Sequence, residues 1–174
     1  MYLIAAFGVM LITISLWSLS VQHSLIGMEE KIKSAMEQTG VAISAQWEVL
    51  TSLLDLTEWY AFHGCETIIE TMSARRSITK YSLPEDVRKQ EDSIAETISE
   101  FKKVAEINPD LKADPNYIKT MDALHQYENI VQRSMLIYND KVTKLDRSIQ
   151  LFPISLFAGI LGFSNHADLN LVER

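Results

Sequence analysis

The sequence has few of the residues that shape disulfide-rich or turn-rich proteins. It contains one cysteine, four prolines and six glycines in 174 residues. A single cysteine, Cys65, cannot form an internal disulfide, which excludes a secreted scaffold held together by disulfides. The scarcity of proline and glycine disfavours an all-β fold and predicts long helices. The length is that of one domain.

Basic residues are also few. Sixteen Lys and Arg stand against twenty-three Asp and Glu, which gives a net charge of −7. Because nonspecific binding to nucleic acid relies on positive side chains against phosphates, we expect no nucleic-acid partner. The charge is unevenly distributed, since no charged residue precedes Glu29. The N-terminal residues therefore form a separate physical class.

Residues 2–19 are almost continuously apolar, and residues 21–26 can extend the run. A helix of about 18 to 25 residues is about 27–37 Å long, enough to cross a hydrocarbon core of about 30 Å. We therefore expect a transmembrane anchor over residues 1–27 that contacts the lipid bilayer through residues 2–26. A cleavable signal peptide is the alternative, but no basic residue precedes the run and the helical pattern continues past it.

The orientation of this single-pass anchor depends on its basic flank. Lys31 and Lys33 follow the apolar run, and no Lys or Arg precedes it. Basic flanks favour the cytoplasmic side of a membrane, so the body is expected in the cytoplasm.

The prolines divide the body into helical segments at about 28–80, 84–107 and 115–152. The last segment repeats every seven residues, as in a coiled coil. Its seam consists of Tyr117, Met121, Leu124, Glu128, Val131, Met135, Tyr138, Val142, Leu145, Ile149 and Phe152. Ile130 and Ile137 widen this stripe, which suits two neighbouring helices. The sequence predicts an all-α fold, an N-terminal transmembrane helix followed by an antiparallel up-and-down bundle of three to four long helices.

The number of helices depends on the residues around Thr51. A continuous helix over 28–80 would be about 80 Å long against about 35 Å for the middle segment, which favours a turn there. Yet the first segment has a weaker seam that crosses this point without proline or glycine, and its members are Ile32, Met36, Thr39, Ile43, Gln46, Leu50, Leu53, Thr57 and Tyr60. The seam of the middle segment consists of Val87, Ile94, Ile98, Phe101 and Ala105. The helical body comprises residues 28–163 and is followed by a C-terminal tail at 164–174. With three helices, the last apolar stretch of the body would lie far from the membrane.

Three groups of residues match a known pattern. They are V-L-T-S-L-L at 49–54 with Y-A-F-H at 60–63, N-P-D-L-K-A at 108–113, and Y-N-D-K-V at 138–142. In this order and spacing the sequence resembles the LemA family of bacterial membrane-anchored proteins, over nearly the whole chain. The resemblance implies a one-span anchor in the bacterial cell membrane and a helical bundle. It implies no enzymatic activity and no cofactor.

The function expected from these features is a non-enzymatic scaffold or protein-interaction module at the membrane. Its binding partner would be a second copy of the chain or an unknown protein. The alternative is a sensor-like bundle that binds a small ligand between its helices. The sequence has no glycine-rich phosphate loop and no nucleophile elbow, so we do not expect an enzyme.

Glu128 is the one charged residue in the seam of the last segment. A buried, unpaired carboxylate costs several kcal/mol, so Glu128 should pair, become protonated or reach water. We expect Arg75 to be its partner, with Tyr138 and Asn139 completing a structural polar network. Contact with a ligand and simple exposure are the alternatives.

Two further clusters have a functional and a simpler interpretation. Arg75, Arg76 and Lys80 would meet anionic lipid headgroups if the chain folds back near Thr51, and would otherwise lie at a helix carboxyl end, where cations interact favourably with the helix dipole. His63, Glu66 and Glu70 can share one helix face. Because the chain has no Glu-x-x-His motif, we expect an acidic solvated face and no metal there.

Overall fold

The computed structural model describes residues 1–60, 65–151, 154–155 and 166–169, apart from the side chains of Leu3 and Ile4. These residues form helices and connecting segments without a strand. The helices are α1 (Tyr2–Glu58), α2 (Glu66–Met72), α3 (Pro84–Ile107), α4 (Pro109–Ala113) and α5 (Pro115–Gln150). The predicted all-α fold with a long apolar N-terminal helix is confirmed.

Helix α1 is continuous over 57 residues, which corresponds to a length of about 85 Å. It does not turn at Thr51, whose hydroxyl donates to the backbone oxygen of Trp47 at 3.0 Å, inside the helix. Thr57 bonds the oxygen of Leu53 in the same way, at 2.7 Å. Of the two alternatives, the helix without a turn is found at Thr51, because the local pattern without proline or glycine prevails over the argument from matched helix lengths. The helix does not continue to residue 80, since α1 ends at Glu58 and the short helix α2 follows.

Helices α3, α4 and α5 begin at the prolines that predict their starts. The backbone N–H of Leu83, just before Pro84, donates to Asp86 Oδ2 at 2.9 Å. Asp114 caps α5, since its Oδ1 accepts the N–H of Asn116 at 2.6 Å. These contacts satisfy donors that have no partner in the first turn of a helix.

Helices α1 and α5 are antiparallel. The Tyr60 hydroxyl, just beyond α1, donates to Asp114 Oδ2 at the start of α5 over 2.7 Å. From there the 36 residues of α5 extend about 54 Å and bring its carboxyl end to about the level of Leu25. Helix α5 thus ends on the same side as the apolar run. The last apolar stretch, which was expected far from the membrane if the body had three helices, lies mostly outside the described residues.

Helix α3 runs parallel to α1, which the up-and-down prediction did not anticipate. Between α2 and α3 the chain passes Gly40 of α1 at Ile78. It then enters α3, where Gln90 meets Trp47 of α1. The connection has already returned along the bundle before α3 begins, so α3 can follow the direction of α1.

The predicted seams form one buried core. In α5 it contains Tyr117, Leu124, Val131, Met135, Tyr138, Val142, Leu145 and Ile149, and in α1 it contains Ile32, Met36, Ile43, Leu50 and Leu53. Helix α3 adds Val87, Ile94, Phe101 and Ala105. Ile130 and Ile137 are 45% and 46% exposed, so they do not widen the stripe. They lie off the seam, on the outer flank of α5.

The exposure of α1 changes at Val21. Large apolar side chains from Phe7 to Leu19 are exposed, whereas Val21 and Leu25 belong to the buried core. By length and composition α1 can cross a membrane, and no part of its most apolar window is buried. Residues 2–20 alone extend about 29 Å, so the packed body begins before residue 27.

Candidate functional site

Residues 73–83, here called the strap, lie directly on α1. A Cβ atom at Gly40 would come within 2.3 Å of the backbone oxygen of Ile78. Only glycine lets two backbones approach this closely. The side chain of Ile78 is buried at this crossing. Gly40 is therefore the point at which the strap is seated on the longest helix.

Gln90 of α3 joins the strap to α1 through its amide. Its Oε1 accepts the indole N–H of Trp47 at 3.1 Å and the backbone N–H of Arg76 at 2.8 Å. Its Nε2 donates to the backbone oxygen of Ala74 at 3.0 Å. Gln90 is 3% exposed and Trp47 1%. One buried amide thus fixes three segments relative to one another, which is how buried polar groups specify a unique arrangement.

A second polar site lies where residues 166–169, here called the C-terminal segment, meet α5. Asn139 Nδ2 donates to the backbone oxygen of Leu169 at 2.6 Å, and its Oδ1 accepts the backbone N–H of Leu169 at 2.7 Å. The Tyr138 hydroxyl lies 3.4 Å from the oxygen of Ala167. Asp146 Oδ1 accepts the N–H of His166 at 3.3 Å. Side chains of α5 therefore bind the main chain of this segment.

A cavity of about 240 Å³ adjoins this site. It is lined by Pro84, Glu85 and Arg88 of α3, Met135 of α5, and Asp168 and Leu169 of the C-terminal segment. Leu169 is 2% exposed. We call the cleft between the start of α3 and α5 that holds Leu169 the groove. It combines a cavity lined by both charged and apolar side chains with hydrogen bonds to the main chain of residues 166–169.

Burial raises the pKa of Tyr138 above its usual value, and the carboxylates of Asp168 and Asp146 raise it further. A buried tyrosine is harder to ionise because its charged form loses water, and nearby negative charge adds to that penalty. The hydroxyl thus remains a neutral donor at physiological pH. It serves the groove as a hydrogen-bond donor.

The structure does not assemble the predicted network around Glu128. The side chain of Glu128 is 39% exposed and lies 3.5 Å from His125 Nδ1 on its own helix. Arg75 is exposed, and no ion pair joins it to Glu128 among the residues that the structure describes. Tyr138 and Asn139 bind the C-terminal segment instead. Glu128 reaches water because it sits at the edge of the seam.

The basic cluster is not brought to the apolar end of the molecule. Lipid contact by Arg75, Arg76 and Lys80 required a turn at Thr51, which α1 does not make. Arg76 is held beside Gln90 and Trp47, about 40 Å along α1 from Ser20. Lys80 Nζ lies 5.2 Å from the centre of the Tyr81 ring. These cations belong to the strap, and Arg75 lies just beyond the carboxyl end of α2, where its N–H donates to the backbone oxygen of Met72 at 3.1 Å.

His63, which was expected to share an acidic solvated face with Glu66 and Glu70, lies outside the described residues. Within the described ranges, no group of three or more His, Cys, Asp or Glu could hold a metal ion.

Cys65 is buried, and burial raises the pKa of its thiol, with a smaller contribution from Glu58. It lines an open hollow of about 510 Å³ with Glu58, Trp59, Glu66 and Ile69.

The contact between Tyr60 and Asp114 predicts a pH dependence of stability. The Tyr60 hydroxyl, and then the N–H of Asn116, hold the pKa of Asp114 below its ordinary value of 3.8. Since the pKa is lowered in the folded state, this stabilisation is complete above about pH 4 and is lost as the pH falls through the folded-state value. We expect Tyr60→Phe to lower the melting temperature at pH 6, with a difference that shrinks towards pH 3. A difference that is constant over this range would contradict the prediction.

Sequence reasoning missed three of the residues that organise these sites. The role of Gly40 could have been predicted, since an isolated glycine within a helical pattern often has a packing reason. Gln90 and Leu169 gave none, because their roles depend on segments distant in the chain. Asn139 was identified as a polar site residue, but its partner is the C-terminal segment.

Taken together, these features define an all-helical protein in which one helix, long and apolar enough to cross a membrane, continues into a strapped bundle. The chain belongs to the LemA family, whose sequence model matches residues 35–174. This confirms the resemblance found in the sequence. A comparison with curated proteins returns no significant match.

Proposed function

We propose that the protein is a membrane-anchored, non-enzymatic scaffold of the LemA type that binds other proteins, including copies of itself, beside the membrane. The continuity of α1 is the observation that carries this proposal. The exposed apolar residues and the buried seam belong to one helix of 57 residues. A body attached in this way projects from the bilayer as a continuation of its anchor.

The apolar part of α1 suits a lipid environment. The Thr13 hydroxyl is paired inside the helix, since it donates to the backbone oxygens of Val9 and Met10 at 3.0 and 2.8 Å. Lipid tolerates a hydroxyl that is paired in this way. The large side chains around it are exposed, so in water they would form an unfavourable apolar surface.

The boundary between anchor and body lies near Ser20. The core begins at Val21, and Lys33 pairs with Glu29 at 3.3 Å just beyond it. Lys31 and Lys33 on this flank favour a body in the cytoplasm. A second copy or another membrane-bound protein would then be met by lateral diffusion.

The outer surface of α5 offers apolar side chains for such a partner. Ile118, Ile130, Leu136 and Ile137 are each between 45% and 53% exposed. Ile130 and Ile137, two turns apart, lie on the same face of α5 about 10 Å from each other, and exposed apolar groups that cluster in this way are typical of interaction surfaces. They support binding as the function of the body.

Membrane attachment is tested by a charge in the apolar run. Replacing Ile12 with arginine places a charge near the middle of the proposed span, at a cost of about 2.5–3.5 kcal/mol. We expect the full-length wild type to remain in the membrane pellet after alkaline carbonate extraction, and Ile12→Arg to move substantially into the supernatant. Val41→Arg is the control, since Val41 is 66% exposed on the body, and it should stay in the pellet. Release of the wild type would contradict the anchor.

The scaffold role is tested in cells by photo-crosslinking. A photo-reactive amino acid at Ile130 is expected to give discrete products of higher mass, identified by mass spectrometry as a second copy or a membrane protein. The same group at the exposed Asp55 of α1 is the comparison. Products at Ile130 no more abundant than those at Asp55 would argue against partner binding through α5.

A further inference from the structure

The groove binds the C-terminal segment in a way that does not depend on most of its side chains. Asn139 Oδ1 accepts the backbone N–H of Leu169 at 2.7 Å, and Asn139 Nδ2 donates to the backbone oxygen of Leu169 at 2.6 Å. Asp146 accepts a backbone N–H from His166, and Tyr138 lies near the oxygen of Ala167. An asparagine amide paired with both polar groups of one residue imitates the pairing of neighbouring β-strands. The groove thus recognises extended backbone.

Specificity comes from one side chain. Leu169 is 2% exposed and belongs to the buried core. It lines the cavity together with Met135 of α5 and with Pro84 and Arg88 of α3. Beside them, Arg88 bonds Glu85 through two contacts of 2.8 Å. A segment with leucine at this position therefore buries one apolar side chain against the bundle.

We propose that this groove is an exchangeable docking site, in which the C-terminal segment of a second copy of the chain replaces the resident one. This inference deepens the proposed scaffold function, on which it rests. The described contacts that hold the segment join residues 166–169 to side chains of the groove and of α5, so the same contacts form whichever copy supplies the segment. Exchange between identical chains therefore preserves these contacts.

Anchoring favours this occupant over a free peptide. The rise of about 1.5 Å per residue puts Asn139 roughly level with Ala35 of α1, about 22 Å beyond Ser20. Two copies anchored in one bilayer hold their grooves and segments at the same height above it. Lateral approach alone brings them together, and confinement raises their effective concentration.

The first test uses two complementary full-length variants in the same liposomes. Asn139→Ala weakens the groove but leaves the segment intact, and Leu169→Asp weakens the segment but leaves the groove intact. Each variant alone lacks one half of the contact, whereas a mixture restores one complete groove with one complete segment. We expect energy transfer between dyes on the two variants to be at least about twofold higher than for either variant alone, as expected for complementary halves.

A second measurement does not depend on those variants. In a Cys65→Ala background, one copy carries Met135→Cys and a differently tagged copy carries Leu169→Cys, so the two thiols share a cavity only if the segment is exchanged. We expect a mixed disulfide on a non-reducing gel after mild oxidation in the membrane. Ile130→Cys in place of Met135→Cys is the control, because Ile130 is exposed and does not line the cavity.

The two possible failures can be told apart. A mixed disulfide at Met135 no more abundant than at Ile130, with no gain in energy transfer for the mixture, overturns the exchange. If crosslinks from Ile130 to a partner persist in that case, the scaffold function stands and the groove serves only its own chain. Absence of those crosslinks as well removes the scaffold function.

Discussion

Replacing Gly40 with alanine is expected to destabilise the protein, although alanine is the better helix former. In an open helix position this change stabilises by up to about 1 kcal/mol. At Gly40 the new Cβ would lie 2.3 Å from the backbone oxygen of Ile78, and a backbone atom cannot rotate away. Overpacking of this kind costs about 1–3 kcal/mol. We expect a net loss of about 1 kcal/mol, and more for Gly40→Val, because the strap must lift from α1.

Gly27→Ala in the same helix is the matched control. A Cβ at Gly27 meets nothing within 4 Å, so this substitution should leave the melting temperature unchanged or raise it. Thermal unfolding of the full chain in detergent, followed by circular dichroism, compares the two. Equal melting temperatures for Gly40→Ala and Gly27→Ala would show that the strap does not need the close approach.

Replacing Gln90 with methionine, which has a similar shape, is expected to cost about 2–4 kcal/mol, since a buried donor without a partner costs about 1–3 kcal/mol and further hydrogen bonds are lost. The indole N–H of Trp47 would be the orphaned donor, because Trp47 is 1% exposed. The backbone groups of Ala74 and Arg76 would lose the bonds that hold the strap. Limited proteolysis should therefore cut the strap faster.

A double-mutant cycle with Trp47→Phe isolates the central hydrogen bond. Phenylalanine removes the indole donor, so the cost of Gln90→Met should be smaller by at least about 1 kcal/mol in that background. Gln126→Met on the exposed side of α5 is the control and should change the free energy of unfolding by less than about 0.5 kcal/mol. Purely additive effects of Gln90→Met and Trp47→Phe would mean that the hydrogen bond contributes nothing to the position of the strap.

Most of the helical core could be predicted from the sequence. In α5, every seam member from Val131 to Ile149 is buried, because a seven-residue apolar repeat leaves one stripe that must avoid water. The start of α5 followed from Asp114 and Pro115, whose effects are local. The family resemblance was confirmed for the same reason, since it rests on short motifs read in order.

The candidate sites could be predicted only in part. Asn139 was recognised as polar and placed near the core, but the sequence could not show that its amide faces residue 169. The sequence predicts an ion pair between Arg75 and Glu128 from their opposite charges, but their positions on the bundle do not support that pairing. Contacts between segments far apart in the chain depend on the path of the connections, which periodicity does not encode.

The sequence by itself determined the class of the molecule, one apolar helix followed by helices with narrow buried seams, because hydrophobic spacing and proline positions act locally. Only the tertiary structure decided the direction of α3, the crossing at Gly40 and the docking of Leu169. Each of these depends on how residues 73–83 and 166–169 return to the bundle. Such returns are fixed by close packing and by shared hydrogen bonds at Gln90 and Asn139, which exist only once the chain has folded.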